Sequence, residues 1–345
     1  MMDLKSRVLE LLENNKNKYI SGSEMAGVLG VTRTSVWKAI EALRKEGYDI
    51  TASTNRGYRI EKTGDMLSPQ GILRYIKTED VFLVETRNLV TSTNTVLRQE
   101  AALGAPEGLV LAAEAQTEGK GRYGRKWHSP VGNAAYFSVI LRPEIRAEEA
   151  TLVTAAAAVA SALAIESIYD VQIGIKWVND LFYNGKKIAG LLSEATLDMD
   201  SGMIDNVVLG IGINVTRPAE GYPEEISDIA TAITDRTAGK DSERCRLIAA
   251  VLDNFWRFYK NLPRRDFLGE YRRRSILLGK DVIVITGSGE KIAEALAIDD
   301  DCGLVVRYED GGTEVLRSGE VRVSLSPASL RGASHAVGDA PLRVP

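Results

Sequence analysis

Apolar residues recur at helical spacing from the start of the chain. Leu4, Val8, Leu11 and Leu12 fall at i, i+4, i+7 and i+8 behind Asp3, which predicts an opening amphipathic helix. A second helix is expected from a cap at Ser23, burying Met25, Val28 and Leu29 and stopping at Gly30. Thr32 then caps a third, with Val36, Ile40 and Leu43 inward and an end at Gly47. Alternation takes over at residues 48–50 and 58–60, on either side of the polar tip Ser53-Thr-Asn-Arg-Gly57, and predicts a hairpin wing. Helices joined through Leu29-Gly30-Val31 and followed by a wing read as a winged helix-turn-helix over residues 1–63. In that motif the front of the second helix of the pair enters the major groove. Arg33, Thr34, Ser35, Trp37 and Lys38, with Arg56 at the wing tip, are therefore the candidate contacts to operator DNA. The same pattern also suits a module for protein contacts, and Trp37 suits packing under the wing as well as it suits DNA.

From residue 83 to 215 both periods alternate, with strands expected over 109–113, 135–141 and 207–212 and helices over 93–103 and 152–168. The apolar run 151–165 is alanine-rich and shorter than a membrane span, so a buried helix is expected and no membrane partner. Residues 245–262 read as a helix with Leu247, Val251, Leu252, Phe255 and Phe258 inward; Arg264, Arg265 and Arg272 to Arg274 behind it are expected in surface ion pairs. Short apolar runs between glycine turns over 279–325 predict a small β-barrel, and 327–345 a loose tail. The fold class is thus α+β in three domains: 1–63, 64–270 and 271–326, with a tail at 327–345.

Composition changes this picture little: 44% hydrophobic and 26% charged residues are ordinary for globular domains. Two cysteines and two histidines, far apart, give neither a disulfide framework nor a spaced metal site. The first residues show no signal-peptide pattern, so a cytoplasmic location is expected. Charge is uneven. Residues 1–63 hold 11 Lys+Arg against 8 Asp+Glu, and the remainder 32 against 39, a basic head on an acidic body.

The candidate chemistry lies between residues 91 and 214. Gly119-Lys-Gly-Arg-Tyr-Gly-Arg-Lys-Trp127 sets Lys120, Arg122, Arg125 and Lys126 among three glycines, whose backbones are expected to adopt positive φ and approach an anion closely. It has neither the Walker ending nor the dinucleotide spacing. Lys176-Trp-Val-Asn-Asp180 is expected between or along paired strands. Asn179 and Asp180 there suit a plain turn, or Asp180 a Mg²⁺ ligand with Lys176 on a phosphate. Lys187 leads into an apolar stretch, where a buried cation needs an anionic partner that a ligand would supply. Thr91-Ser-Thr-Asn94 gathers hydroxyls at a helix start, a pattern that simple capping also produces.

These blocks, with Glu114-Ala-Gln116, Lys187-Ile-Ala-Gly190 and Gly210-Ile-Gly-Ile-Asn214, resemble the signature blocks of the biotin protein ligases, in order and at similar spacing. With the winged helix in front, the chain is similar to the bifunctional ligase and biotin operon repressor from about residue 1 to about 325. The resemblance implies that Ser92, Thr93, Asn94 and Gln116 bind the ureido ring of biotin, with Gly119, Lys120, Gly121, Trp127, Gly210 and Gly212 completing the pocket. It implies Arg122 and Arg125 at the carboxylate and phosphates, catalysing with Lys187, which would touch both the carboxylate and the α-phosphate. Lys176, Asn179, Asp180 and Asn214 would serve ATP and Mg²⁺, Asp180 as metal ligand. Biotinyl-5'-AMP is the implied intermediate and corepressor. The implied partners are a biotin carboxyl carrier protein domain, operator DNA and a second copy of the chain when the adenylate is bound. The glycine-rich loop is expected to be mobile until a ligand orders it. Two departures stand out: Lys120 where an arginine is common, and Val178 where a proline is common, which predicts a less rigid turn. The nearest rival reading is the ligase alone with a winged helix that binds no operator; a lipoate-type ligase or transferase and a non-catalytic biotin sensor are the others.

Overall fold

A computed structural model describes residues 4–15, 18–45, 48–60, 65–198, 202–236, 242–286 and 289–323. The expected tail at 327–345 and the helix end at Gly47 lie outside them.

The head begins with α1 (Leu4–Asn14), α2 (Gly22–Leu29) and α3 (Arg33–Lys45), followed by the hairpin β1 (Ile50–Ser53) and β2 (Gly57–Ile60). Its own core includes Val8, Leu12, Met25, Val36, Ile40, Leu43 and Ile60. Two details differ from expectation. The cap of α2 is Ser21, whose Oγ accepts from Glu24 N at 3.1 Å, and Val28 is 64% exposed. At about 100° per residue the face centred on Met25, Ala26 and Leu29 leaves Val28 roughly a quarter turn outside it. Gly30 does end α2, in the left-handed conformation.

The middle contains α4 (Pro69–Leu73), β3 (Leu83–Val90), α5 (Thr93–Ala102), β4 (Leu109–Gln116), β5 (Ala134–Leu141), α6 (Ala150–Ile168), β6 (Gly174–Lys176), β7 (Asp180–Tyr183), β8 (Lys186–Leu197), β9 (Ile204–Asn214), α7 (Glu224–Ser227) and α8 (Glu243–Tyr259). Seven strands form one sheet in the order β3-β4-β5-β9-β8-β7-β6, parallel only between β3 and β4. Helix α6 is long and apolar enough by length and composition to cross a membrane, yet thirteen of its residues are buried, and it packs against α8 and β8 as a core helix. Its alanines let those neighbours approach closely.

The chain ends with α9 (Leu268–Arg274), β10 (Asp281–Thr286), β11 (Gly289–Ile298), β12 (Leu304–Tyr308), β13 (Thr313–Leu316) and β14 (Glu320–Val323). The strands form a five-stranded antiparallel sheet in the order β13-β12-β11-β10-β14. Its inner residues Val282, Val284 and Val306 belong to the same hydrophobic core as the middle region, together with Tyr271 and Leu277. Arg272 and Arg273 make the surface ion pairs expected of them, with Asp300 and Glu270. Arg274 does not: it is 7% exposed and bonds Glu166 Oε1 and Oε2 at 2.6 and 2.8 Å.

A buried arginine ties the start of the middle region to α8. Arg244 Nε donates to Asp65 Oδ2 at 2.9 Å and Nη1 to Glu114 Oε2 at 2.7 Å, while Arg244 Nη2 donates to Asp65 O. Glu114 Oε1 accepts in turn from Leu67 N at 2.7 Å. Burial lowers the pKa of Arg244, but Glu114 and Asp65 outweigh it, and the net shift is upward.

Candidate active site

Two rows of the sheet are hollowed by glycine. Ser138, Gly210 and Leu192 are register neighbours across β5, β9 and β8; Tyr136, Gly212 and Gly190 form the next row. A Cβ on Gly210 would lie 2.0 Å from Asn94 Oδ1, and one on Gly212 would lie 2.6 Å from Trp127 Nε1. The missing side chains therefore admit the front of α5 over one row and the indole of Trp127 over the other. Between them opens a cavity of about 240 Å³.

Its polar end is the front of α5. Ser92 heads the helix yet makes no side-chain cap bond, so capping does not explain it. Thr93 N and Oγ1 approach Gln116 Oε1 at 2.9 and 3.3 Å, and Gln116 Nε2 donates to Ser129 Oγ at 3.0 Å. Asn94 is 3% exposed and Gly119 sits behind Trp127; neither is part of the cavity wall. Asn94 instead spends its carboxamide on Ser138, Leu192 O and Glu194.

The glycine-rich loop closes on itself through Gly121 N to Arg125 O at 2.7 Å and Trp127 N to Gly119 O at 2.8 Å. Of its three glycines only Gly124 takes positive φ, and Tyr123 shares that conformation. Gly119 is required for another reason: its Cβ would stand 2.4 Å from Trp127 O. Arg122 donates to Asn179 Oδ1 at 3.3 Å and to Gly319 O at 3.0 Å, and Arg125 pairs with Glu320 at the start of β14. The last sheet thus lays its edge on the loop, a contact that no local pattern announces. For Glu320, burial raises the pKa, and the hydrogen bond and charge of Arg125 overcome it to give a net lowering.

Residues 176–180 form the turn between β6 and β7, as expected. Val178 does not leave it loose. Tyr271 Oη donates to Val178 O at 2.9 Å, Trp177 Nε1 to Cys302 O at 2.8 Å and Asn179 Nδ2 to Leu191 O at 2.7 Å. These bonds hold the turn from α9, from β8 and from the turn that follows β11. Lys187 Nζ lies 2.7 Å from Asp180 Oδ1 and 5.3 Å from the centroid of Trp127, so the anionic partner expected from a ligand is here a carboxylate of the chain. Lys176 has its pKa lowered, chiefly by burial, with Lys187 and Arg125 adding to it against Asp180 and Glu320. Asn214 lines the far wall, its Nδ2 on Thr231 O at 3.0 Å.

Six cationic side chains line the cavity (Lys120, Arg122, Arg125, Lys126, Lys176 and Lys187) against two carboxylates, Asp180 and Glu320. Such a surplus suits a polyanion. Among the described residues no group of three His, Cys, Asp or Glu converges on one point. A magnesium ion would fit only as one that Asp180 touches and that phosphates and water complete.

In the head, Arg33, Thr34 and Lys38 are exposed along the front of α3, and Ser35 Oγ lies 2.9 Å from Thr32 Oγ1. Trp37 is 52% exposed, so it does not pack under the wing. Arg56 stands at the tip with its guanidinium 4.4 Å from the Tyr19 ring, and Arg59 stands 4.7 Å from the same ring. Tyr19 escaped the sequence reading because its partners lie about forty residues away.

Comparison with known proteins agrees region by region. Residues 5–59 match the HTH domain, 87–214 the Biotin/lipoate A/B protein ligase family and 277–323 the Biotin protein ligase C terminal domain. The bifunctional ligase/repressor BirA of Bacillus spizizenii is 35% identical over 313 residues, covering 89% of this chain and 95% of that protein. BirA of Escherichia coli is 26% identical over 318 residues, covering 91% and 95%. The solved biotin protein ligase of Aquifex aeolicus, in complex with biotin and ATP, superposes with a TM-score of 0.56 at 29% identity, over 70% of this chain and 99% of that one. The chain belongs to the biotin protein ligase family, in the bifunctional ligase/repressor form that carries a helix-turn-helix head.

Proposed function

We propose that the protein is an ATP-dependent biotin protein ligase that also serves as a biotin-responsive transcriptional repressor. One observation carries the catalytic half: six cations around a cavity that holds two carboxylates and ends at the Thr93–Gln116 pair. That cavity suits a head with hydrogen-bonding groups joined to a carboxylate and a nucleotide.

In the first step a carboxylate oxygen of biotin attacks the α-phosphorus of ATP. The bond to the β-phosphate oxygen breaks and pyrophosphate leaves, giving biotinyl-5'-AMP. In the second a lysine amine of a biotin carboxyl carrier protein domain attacks the acyl carbon, AMP leaves and the amine loses a proton. Both reactants of the first step are anions, so catalysis rests on neutralising charge and fixing geometry. Ser92, Thr93 and Gln116 hold the ureido ring, and Trp127 covers the bicycle above Gly212. Lys187, already poised beside Asp180, bridges the biotin carboxylate and the α-phosphate. Arg122 and Arg125 face the carboxylate and phosphates from the loop, and Lys120 adds charge there. Lys176, Asn179 and Asn214 serve the nucleotide. A Mg²⁺ held partly by Asp180 would supply further neutralisation at the phosphates.

In this reading the loop is mobile until adenylate orders it, and the adenylate-bound chain pairs with a second copy so that two heads meet a two-fold operator. Arg33, Thr34, Ser35, Trp37, Lys38 and Arg56 contact that DNA. We divide the chain at 1–63, 64–270 and 271–326, take the last part as an SH3-like barrel, and place the protein in the cytoplasm. The test is incubation with biotin, MgATP and a carrier domain, following pyrophosphate and protein-bound biotin. Stoichiometric appearance of both is expected; pyrophosphate with lipoate or octanoate but not with biotin would refute the assignment.

A further inference from the structure

Behind the polar end of the cavity a chain of hydrogen bonds runs from Glu194 to Thr93. Asn94 and Arg98 lie one turn apart on α5 and both reach Glu194 on β8, Asn94 Nδ2 to Oε2 at 2.9 Å and Arg98 Nη1 to Oε1 at 2.8 Å. The second hydrogen of Asn94 Nδ2 goes to Leu192 O at 3.2 Å. Neither partner has a hydrogen to give, so the carboxamide has one orientation, with Oδ1 turned away from them. Ser138 Oγ lies 2.6 Å from that Oδ1 and 2.7 Å from Thr93 Oγ1. A hydroxyl carries one hydrogen. Oδ1 accepts only, so the hydrogen of Ser138 belongs there, and Ser138 accepts the hydrogen of Thr93. Gln116 Oε1, 3.3 Å from the Thr93 hydroxyl, is then served by Thr93 N at 2.9 Å. What the cavity meets is lone pairs, on Thr93 Oγ1 and Gln116 Oε1. Reversing the Asn94 amide would turn each hydrogen round and present a hydroxyl donor instead.

We infer that Glu194 is a positioning residue that fixes the direction of this chain, and that the direction selects a ligand head bearing N–H donors, a cyclic urea, over an acyl acid without them. The inference rests on the biotin reading of the site. Ser138 is fully buried and Asn94 nearly so, which keeps out water that could repair a reversed bond. A site built to pair with a polar ligand group discriminates strongly against an analogue lacking it, because its own groups are left unpaired.

The test compares the full-length wild type with Glu194→Gln, Glu194→Leu and Ser138→Ala, measuring KM and kcat for biotin-dependent pyrophosphate exchange, and exchange with octanoate. Glutamine still offers Asn94 an acceptor, so E194Q is expected within about 3-fold of the wild type. E194L and S138A are expected to raise the KM for biotin roughly 10- to 100-fold with kcat changed far less, the range for stranding one buried polar group. They should narrow the preference for biotin over octanoate by a similar factor. Should E194L fail to fold, S138A carries the test, since it removes one oxygen and adds no volume. An unchanged KM in S138A, or equal damage in E194Q and E194L, overturns the inference alone. A wild type inert toward biotin overturns the reading beneath it as well.

Discussion

Arg244 is buried and Lys176 half-buried, and the two cations stand in opposite surroundings. Around Arg244 two carboxylates and backbone carbonyls take up the guanidinium, and its pKa rises in spite of burial. Around Lys176 burial, with the cations Lys187 and Arg125, prevails over Asp180 and Glu320, and its pKa falls. The first arrangement finds its partners within the fold, although burial still pushes Asp65 up to about 6 against the charge and hydrogen bonds of Arg244. The second keeps positive charge at a cost that an incoming anion would relieve. Internal pairing therefore marks the structural cluster of this molecule, and a surplus of cations over carboxylates marks its site.

Breaking the internally paired cluster should be the most damaging to the fold. Arg244→Met strands Asp65 and Glu114, both nearly buried, and is expected to lower stability by about 3–5 kcal/mol in urea unfolding. A loss below about 1 kcal/mol would show that the cluster is not the anchor its geometry describes.

The head offers a milder version of the same contrast. Arg56 stacks on Tyr19 but faces no carboxylate among the described residues, so its charge remains available to phosphate. Arg56→Ala should weaken DNA binding about equally across sequences and reduce the salt slope by about one. Undiminished slope would place the wing away from the backbone.

The smallest effect is expected on the cavity wall, where Arg125 meets Glu320. The folded pKa of Glu320 is net lowered, so its ion pair contributes stability above the ordinary carboxylate value. That contribution is lost as pH falls through the lowered value. In a pH titration of thermal stability, Glu320→Gln should lie slightly below the wild type near neutrality and converge with it in acid. Curves separated equally at every pH would exclude the ion pair as the cause.

What the sequence made legible follows from the range of the interactions. The head was readable because helix periodicity, Gly30 and the wing tip are local signals, and the few errors there, Ser23 and Val28, concern which side of one short helix turns inward. The glycine-rich loop, residues 176–180 and Lys187 were likewise readable as chemistry, since charge on a glycine loop is visible without a fold. Their partners were not. Lys187 meets Asp180 only because β7 pairs with β8, and Asn94 meets Glu194 across 100 residues. Ser138 has no motif of its own and matters only through its register beside Gly210. Glu194 continues the alternation of Gly190 and Leu192 on β8, a signal that was present but indistinct from any exposed strand end.

The most direct test of the whole account is pyrophosphate exchange by Lys187→Ala beside its urea midpoint. If Lys187 is kept for the ligand, exchange with biotin and MgATP should fall by about 10²–10³, or roughly 2.7–4 kcal/mol of barrier, while the midpoint moves little. Exchange near the wild-type rate, or a loss of activity that only follows a loss of folding, would contradict the claim that this cavity's surplus of cations is its catalytic apparatus.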